Sequence, residues 1–482
     1  MAPHLVAGID SSTQSTKIEL RERNGGRVVA VGRASHPPTT PPVSEQDPDA
    51  WWSALVGACG QVGDHLADVA AVSVAGQQHG MVLVDAAGLV IRPAKLWNDT
   101  ESAPEAARLV ERLGPDGWAE ACGSVPVAAF TVSKLAWMAA HEPEALARVH
   151  RVMLPHDWLT WRLAGAHVTD RGDASGTGWF DPSAGCYRPE LLALVDGRDD
   201  WLERLPNLLG PTDTAGVVTA EAAAATGLPA GIPVGPGTGD NMAAALGLGL
   251  APGDVALSLG TSGTVYARSS TPTADPSGQV AGFADAAGGF LPLVCTLNAT
   301  KVTDAVRGWL GLDHDAFAAA ALAAPPDGPV LVPWFDGERT PNLPDAAGWL
   351  VGLRTDTSRE QLARAAHEGV VCGLLEGLDA LAEAGARADG TLHLIGGGAH
   401  SAAYRQLVAD LHGAPITVPD DDETVATGAC VQAAAVLGDD ASAVARAWRL
   451  GAGPTVEPGP VADGAARRSR YREAIAVAGP AS

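Results

Sequence analysis

At 482 residues the chain exceeds the roughly 250–300 residues at which a single hydrophobic core stops growing, so at least two domains are expected. Hydrophobic residues make up 46% and charged residues 18%, the balance of a globular rather than a disordered protein. The net charge of −24 disfavours nucleic acid or an anionic membrane as a partner, since both need clustered Lys and Arg. It leaves open a phosphorylated ligand held by a few backbone N–H groups and a divalent metal.

The six cysteines (Cys59, Cys122, Cys186, Cys295, Cys372, Cys430) are scattered without a C-x-x-C. That pattern fits buried thiols in a reducing compartment, not a disulfide framework or a zinc site. Met1–Val6 carries no basic leader, and no stretch of ~18 apolar residues runs uninterrupted. The expectation is a cytoplasmic protein with no membrane partner.

In chain order, Val6–Ile9, Lys17–Arg21 and Val28–Val31 read as short strands, the first two joined by the polar turn Asp10–Thr16. The spacing of Trp51, Trp52, Leu55 and Val56 predicts a helix over Asp47–Val62, with Ser44 or Asp47 as N-cap. Val69–Ala75 is a further strand, ending in Gly76-Gln77-Gln78-His79-Gly80. The theme recurs later: strand Val255–Leu259, small-residue turn Gly260–Gly263, return strand Thr264–Ala267. A helix over Arg359–Ala384 and a strand Leu392–Ile395 follow, the strand running into Gly396-Gly397-Gly398 and another helix. Two strand–turn–strand units half a chain apart indicate a coarse internal duplication in a mixed α/β protein. The domains are expected at 1–245 and 246–440, with a tail at 441–482 that is a terminal helix or a loose end.

Each motif admits a chemical and an ordinary reading. In Asp10-Ser11-Ser12-Thr13-Gln14-Ser15-Thr16-Lys17, small hydroxyl residues allow a polyphosphate close to the backbone, Lys17 can neutralise charge, and Asp10 can hold Mg²⁺ directly or through water. The same residues also suit a plain hairpin turn. Gly260-Thr261-Ser262-Gly263 offers exposed N–H groups, again with a hairpin as the alternative. Gly396-Gly397-Gly398-Ala399 permits close approach of a flat ligand such as adenosine. None of the four lysines is followed by Ser or Thr, so a Walker A loop is absent, and no G-x-G-x-x-G opens a first strand–helix turn. In Gly239-Asp240-Asn241 the carboxylate can accept a hydroxyl proton, or the segment is simply a turn. Gln77-Gln78-His79-Gly80 and Trp97-Asn98-Asp99 carry groups that read hydroxyls and stack on a sugar face; a capped strand end and a surface turn are the ordinary readings. Gly337-Glu338-Arg339-Thr340-Pro341 reads as an internal Glu–Arg pair.

Together, in order from Val6 to about Val436, these pieces resemble the FGGY family of carbohydrate kinases, and within it the branch acting on D-xylulose. Ser44-Glu45-Gln46-Asp47-Pro48 and Phe130–Trp137 extend the match. The resemblance implies two actin/hexokinase-like (ribonuclease H-like) α/β domains flanking an active-site cleft, using ATP and Mg²⁺, with a homodimer as an assembly it allows. Position by position it makes Asp240 the catalytic base and Asp10 the metal- and phosphate-site aspartate. Thr13, Lys17, Gly260 and Thr261 match the phosphate loops, and Gly397 and Gly398 the nucleotide pocket. Gln78, His79, Trp97, Asp99, Asp240 and Asn241 match the sugar site. The implied reaction is phosphorylation of D-xylulose to D-xylulose 5-phosphate; another ketopentose, a pentitol, gluconate or glycerol stays open as acceptor. A non-catalytic actin-like sugar or nucleotide sensor is the rival outside enzymes. Three positions depart from the family pattern: Ser12 stands where Gly is usual, His367 where an apolar residue is usual, and Ala129 where Gly or Met is usual.

Overall fold

The computed structural model describes residues 4–460 and 463–478. Two compact units emerge. One combines the chain through Leu250 with Ser270–Leu291 and Glu423–Leu450, and the other combines Ala251–Ser269, Pro292–Asp422 and the chain from Gly451.

In the first unit the strands Leu5–Ser11, Ser15–Glu22 and Val28–Ser35 form an antiparallel meander, and Val69–Gly76 joins the first of them in parallel. The alternating geometry of a strand decides what each face of Leu5–Ser11 meets. Leu5, Ala7 and Ile9 join a core with Trp51 and Leu55 of the helix Pro48–Val62. Val6 packs with Cys430 and Val431 of the helix Thr424–Ala435. Burial on both faces explains why the strand is a continuous apolar run rather than an alternating one. Leu5, Ile9, Ile18 and Leu55 are all fully buried, each contributing roughly 1.5–3 kcal/mol of transfer free energy.

The helix Pro48–Val62 begins where its sequence says: Asp47 caps it by accepting from Asp49 N at 3.0 Å, and proline occupies the first turn. Small residues let the helices Asp240–Gly247 and Thr424–Ala435 approach closely. A Cβ on Gly8 would sit 2.0 Å from Ala426 O, on Gly247 1.9 Å from Thr424 O, and on Gly428 1.8 Å from Ala243 O.

The second unit repeats the scheme. Val255–Leu259 pairs antiparallel with Gly263–Ala267 and in parallel with Leu392–Ile395. The helix Arg359–Glu383 opens with a reciprocal cap, in which Gln361 N donates to Ser358 Oγ and Ser358 N donates to Gln361 Oε1.

The chain first passes to the second unit after Leu250, and the two units then interleave along the chain instead of breaking near 440 as expected. Thr424–Ala435 and the helix Ala441–Trp448 belong to the first unit because their small and apolar side chains cover its sheet. The expected tail is therefore split. Its last helix, Gly464–Ala478, is docked in the second unit, where Arg467 pairs with Glu368, and Arg468 and Arg472 with Glu376 and Asp379. Residues 461–462 and 479–482 of that tail lie outside the described residues, as do residues 1–3. No described helix is long and apolar enough to cross a membrane.

Candidate active site

In the first unit, three elements deliver the residues expected on the acceptor side. Asp10 lies near the end of Leu5–Ser11, where it pairs with Lys17 across the hairpin and with Ala75 on the parallel strand. Gln78 and His79 follow the end of Val69–Gly76. Thr238 and Gly239 pair alongside Ala75 and Gly76 and deliver Asp240 and Asn241 at the start of the helix Asp240–Gly247.

Asp240 Oδ1 accepts from the Asn241 backbone N–H at 2.8 Å and from Asn241 Nδ2 at 3.0 Å. Asn241 Nδ2 also donates to Gln78 Oε1 at 2.8 Å, so one amide ties the carboxylate to the Gln-His turn. Asp240 Oδ2 bonds to no described residue. Burial, and then the charge of Asp10, push the Asp240 carboxyl up to about 7 against those hydrogen bonds.

Burial likewise pushes Asp10 up to about 6, opposed by Lys17 and Arg33 and reinforced by Glu423. Lys17 Nζ is paired with the Glu423 carboxylate.

His79 is held in a left-handed conformation, φ 66°, with its ring between Phe130 and Phe283 at centroid distances of 5.3 and 5.7 Å. Gly176 supplies the space beneath, since a Cβ there would lie 2.1 Å from the imidazole. A non-glycine residue at positive φ is costly unless its surroundings enforce it, and such strain concentrates at functional sites. Thr13 and Trp97 also meet: Trp97 Nε1 donates to Thr13 Oγ1 at 2.9 Å, and Thr13 Oγ1 donates to Gln77 Oε1 at 3.0 Å. Ser12 is not among the positive-φ residues, and it closes the hairpin through its N–H to Ser15 O at 3.0 Å. Serine in place of glycine therefore imposes no backbone strain.

Asp99 is placed differently from the rest. It is fully buried, accepting from Ser44 N at 2.9 Å and lying 3.3 Å from Lys95 Nζ. Lys95 Nζ also sits 3.0 Å from Glu45 and 2.6 Å from Glu101, with the Trp137 ring at 3.9 Å. Glu45, Asp99 and Glu101 are close enough to suggest a cation centre, but the Lys95 ammonium already supplies the cation. Asp99 is thus a member of a buried ion cluster, and its hydrogen bonds go to Ser44, Lys95 and Glu101. Glu338 also differs from expectation: it anchors the Leu297 and Arg339 amides and Asn298 Nδ2 rather than pairing with the Arg339 guanidinium.

A buried network beneath Asp240 escaped the sequence reading. His156 Nε2 lies 3.0 Å from Asp157, 3.4 Å from Asp173 and 3.6 Å from Asp170. Burial holds His156 neutral, pushing it down to about 3, and drives the carboxyls of Asp157 and Asp173 well upward. Asp170 accepts from Thr238 Oγ1 at 2.7 Å and so fixes the strand that leads into Asp240. A Cβ on Gly237 would lie 2.5 Å from His156 Nδ1, and one on Gly239 2.7 Å from Gln78 Cγ. The glycine-rich run before Asp240 is what lets it thread between these two side chains. Phe283 is the other missed residue. Neither the network nor Phe283 has a local signature, since their partners come from separate segments.

Of the six residues expected on the nucleotide side, Gly260, Thr261, Gly397 and Gly398 lie in the second unit and line one cavity, while Thr13 and Lys17 lie in the first. Val255–Leu259 and Leu392–Ile395 are parallel neighbours, so their ends present Gly260-Thr261 and Gly397-Gly398 side by side on one cavity of about 810 Å³. Gly396, at φ 84°, makes the turn; a Cβ there would lie 2.8 Å from Leu259 O. A Cβ on Gly397 would meet nothing within 4 Å, which leaves its backbone open to a ligand. Thr300 Oγ1 and N both donate to Gly260 O, at 2.8 and 3.0 Å, and hold the first turn in place.

The first unit thus carries two acidic groups able to bind a metal or take a proton, and the second a glycine-walled cavity at paired strand ends; each is a feature of the kind phosphotransfer chemistry uses. Profiles of the FGGY family of carbohydrate kinases match the chain, the N-terminal domain over residues 5–247 and the C-terminal domain over residues 255–437. The chain belongs to the FGGY family of carbohydrate kinases. It is 51% identical to a xylulose kinase of Streptomyces coelicolor over 94% of this chain and 92% of that protein. The crystal structure of a xylulose kinase from Bifidobacterium adolescentis is similar at a TM-score of 0.85 and 41% identity, over 98% of this chain and 99% of that one. A gluconate kinase from Lactobacillus acidophilus has a TM-score of 0.90 at 22% identity, over 99% of this chain and 98% of that one, a likeness of fold alone. The two units are α/β domains of the actin/hexokinase-like type.

Proposed function

We propose that the protein transfers the γ-phosphoryl group of ATP to the 5-hydroxyl of D-xylulose, giving D-xylulose 5-phosphate and ADP. The observation that carries this reading is the half-buried Asp240 carboxylate, pushed up to about 7 and tied through Asn241 to Gln78. A base with a pKa near the working pH is effective in taking a hydroxyl proton as the oxygen attacks phosphorus. Asn241 occupies Oδ1, so Oδ2 is the oxygen that accepts that proton. Gln78, His79, Asn241 and Trp97 orient the ketose; Asp99, committed to Lys95, supports the loop that carries Trp97. The choice of D-xylulose is supported by the 51% identity to a protein named xylulose kinase.

On the nucleotide side, Gly260, Thr261, Gly397 and Gly398 line the cavity that takes ATP, and Thr13 and Lys17 belong to the phosphate-facing hairpin. Asp10 Oδ1 is buried with no hydrogen-bond partner, a hard anionic oxygen that fits Mg²⁺ or one of its waters. Bound there, Mg²⁺ would neutralise phosphate charge. The buried thiols of Cys59, Cys122, Cys372 and Cys430, all free, support a cytoplasmic location.

The test is ADP release with MgATP and a panel of D-xylulose, D-ribulose, L-ribulose, L-xylulose, xylitol, D-arabinitol, gluconate and glycerol. D-xylulose is expected to give the highest kcat/KM by ~10-fold or more, since a site built around a hydroxyl pattern rejects isomers that leave its polar groups unpaired. A different leading sugar would remove D-xylulose and keep the kinase. ADP release that ignores sugar would remove both.

A further inference from the structure

His367 lies on the helix Arg359–Glu383 and lines the glycine-walled cavity of the second unit. Its ring is held between Phe317 and Tyr404, at centroid distances of 4.8 and 4.7 Å. Nδ1 is 2.9 Å from Ala363 O, one turn earlier on the same helix. A carbonyl oxygen only accepts, so Nδ1 carries the hydrogen. Burial pushes the imidazole down to about 4, so the ring is neutral at pH 7 and Nε2 keeps a bare lone pair. Nε2 hydrogen-bonds to no described residue. An acceptor with no protein partner on the wall of a large cavity is placed to meet a donor from a ligand.

The hydroxyl of the neighbouring Tyr404 is already spent. Tyr404 OH is bonded to Thr303 Oγ1 at 3.0 Å, and Thr303 Oγ1 reaches Thr300 O at 2.9 Å. Phe317, Ala318 and Leu322 add apolar surface suited to a flat ring, in a cavity whose wall also carries Asp304, Arg307, His314, Asp315 and His400. The bare Nε2 is thus a hydrogen-bond acceptor set among aromatic and aliphatic surfaces.

We propose that His367 Nε2 accepts a hydrogen bond from the exocyclic 6-amino group of adenine, and so makes the enzyme selective for ATP over 6-oxo purine nucleotides. This rests on the assignment of the cavity to ATP. A 6-oxo purine turns an acceptor toward the Nε2 lone pair, so it both forfeits the bond and is repelled. A purine with hydrogen at position 6 only forfeits it. The order of preference is therefore ATP, then the 6-unsubstituted purine riboside triphosphate, then ITP.

The experiment measures kcat/KM for these three nucleotides at saturating sugar. In the unaltered enzyme ATP is favoured about 10-fold over purine riboside triphosphate, the size of one hydrogen bond to a neutral group, and ~10²-fold over ITP. His367→Leu loses about 10-fold with ATP and less than 2-fold with purine riboside triphosphate, while the sugar KM stays unchanged. His367→Gln, which keeps an acceptor near the Nε2 position, recovers most of the preference. Equal use of ATP and purine riboside triphosphate by the unaltered enzyme would overturn the proposal without any variant. So would an equal loss with both nucleotides in His367→Leu, which is the mark of a merely structural role. Ala318→Trp, which fills the cavity, separates the two readings. A raised KM for ATP in that variant keeps the cavity as the nucleotide site even if His367 fails. An unchanged KM overturns the assignment of the cavity and the role of His367 together.

Discussion

Asp240→Asn is expected to lower kcat by ~10²–10⁴-fold with D-xylulose, while the KM for ATP changes by no more than about 2-fold. The amide keeps the shape and the contact with Asn241 but cannot take the hydroxyl proton. The reason for so large a loss is the environment that tunes the carboxylate. Burial and the neighbouring charge of Asp10 push it up to about 7, and Asn241 holds one of its oxygens in place. The pH profile follows with a definite sign. Only the ionised form is a base, so kcat/KM for the sugar should rise with pH through an acid limb centred near 7, then level off. The variant should lack that limb. Unaltered turnover in Asp240→Asn, or a parent profile flat from pH 5 to 8, would remove Asp240 from the role.

The second large effect comes from packing. Gly428→Ala puts a methyl group 1.8 Å from the carbonyl oxygen of Ala243, a backbone atom that cannot rotate away. The helices Thr424–Ala435 and Asp240–Gly247 must separate, at a cost of ~3 kcal/mol or more, the upper end of the range for overpacked cores. The helix that moves begins with Asp240, so activity should fall with stability. Gly60→Ala is the control, because a Cβ there meets nothing within 4 Å and the site is inside the helix Pro48–Val62. That substitution should leave thermal unfolding unchanged or raise it slightly. Comparable melting of the two variants would show that the close helix contact is not what holds the site.

What the sequence made legible was local. The strand Val255–Leu259 and the strand Leu392–Ile395 are observed within the bounds read from apolar runs, because turn residues delimit them. Asp47 caps its helix because a short acidic side chain before proline leaves little alternative. On the nucleotide side, glycines at the ends of two strands could be read as a cradle, and parallel pairing brings them to one cavity. Groups assembled from distant segments were illegible. Nothing near Asp99 announces that Lys95 will bind it, since the ammonium could equally have faced solvent. The proximity of His156 to Asp157, Asp170 and Asp173, and of Phe283 to His79, depends on packing that no period reveals. Likewise, the return of Thr424–Ala435 to the first unit depends on glycine-to-backbone contacts between residues far apart in sequence.

The most direct test of the central claim is ³¹P NMR of the protein with MgATP and D-xylulose. The account predicts one new phosphomonoester signal, coupled to the protons on carbon 5 of the sugar, growing in step with ADP. It should be absent without sugar and nearly absent with Asp240→Asn. Inorganic phosphate accumulating in place of the ester, or no sugar-dependent change at all, would contradict it.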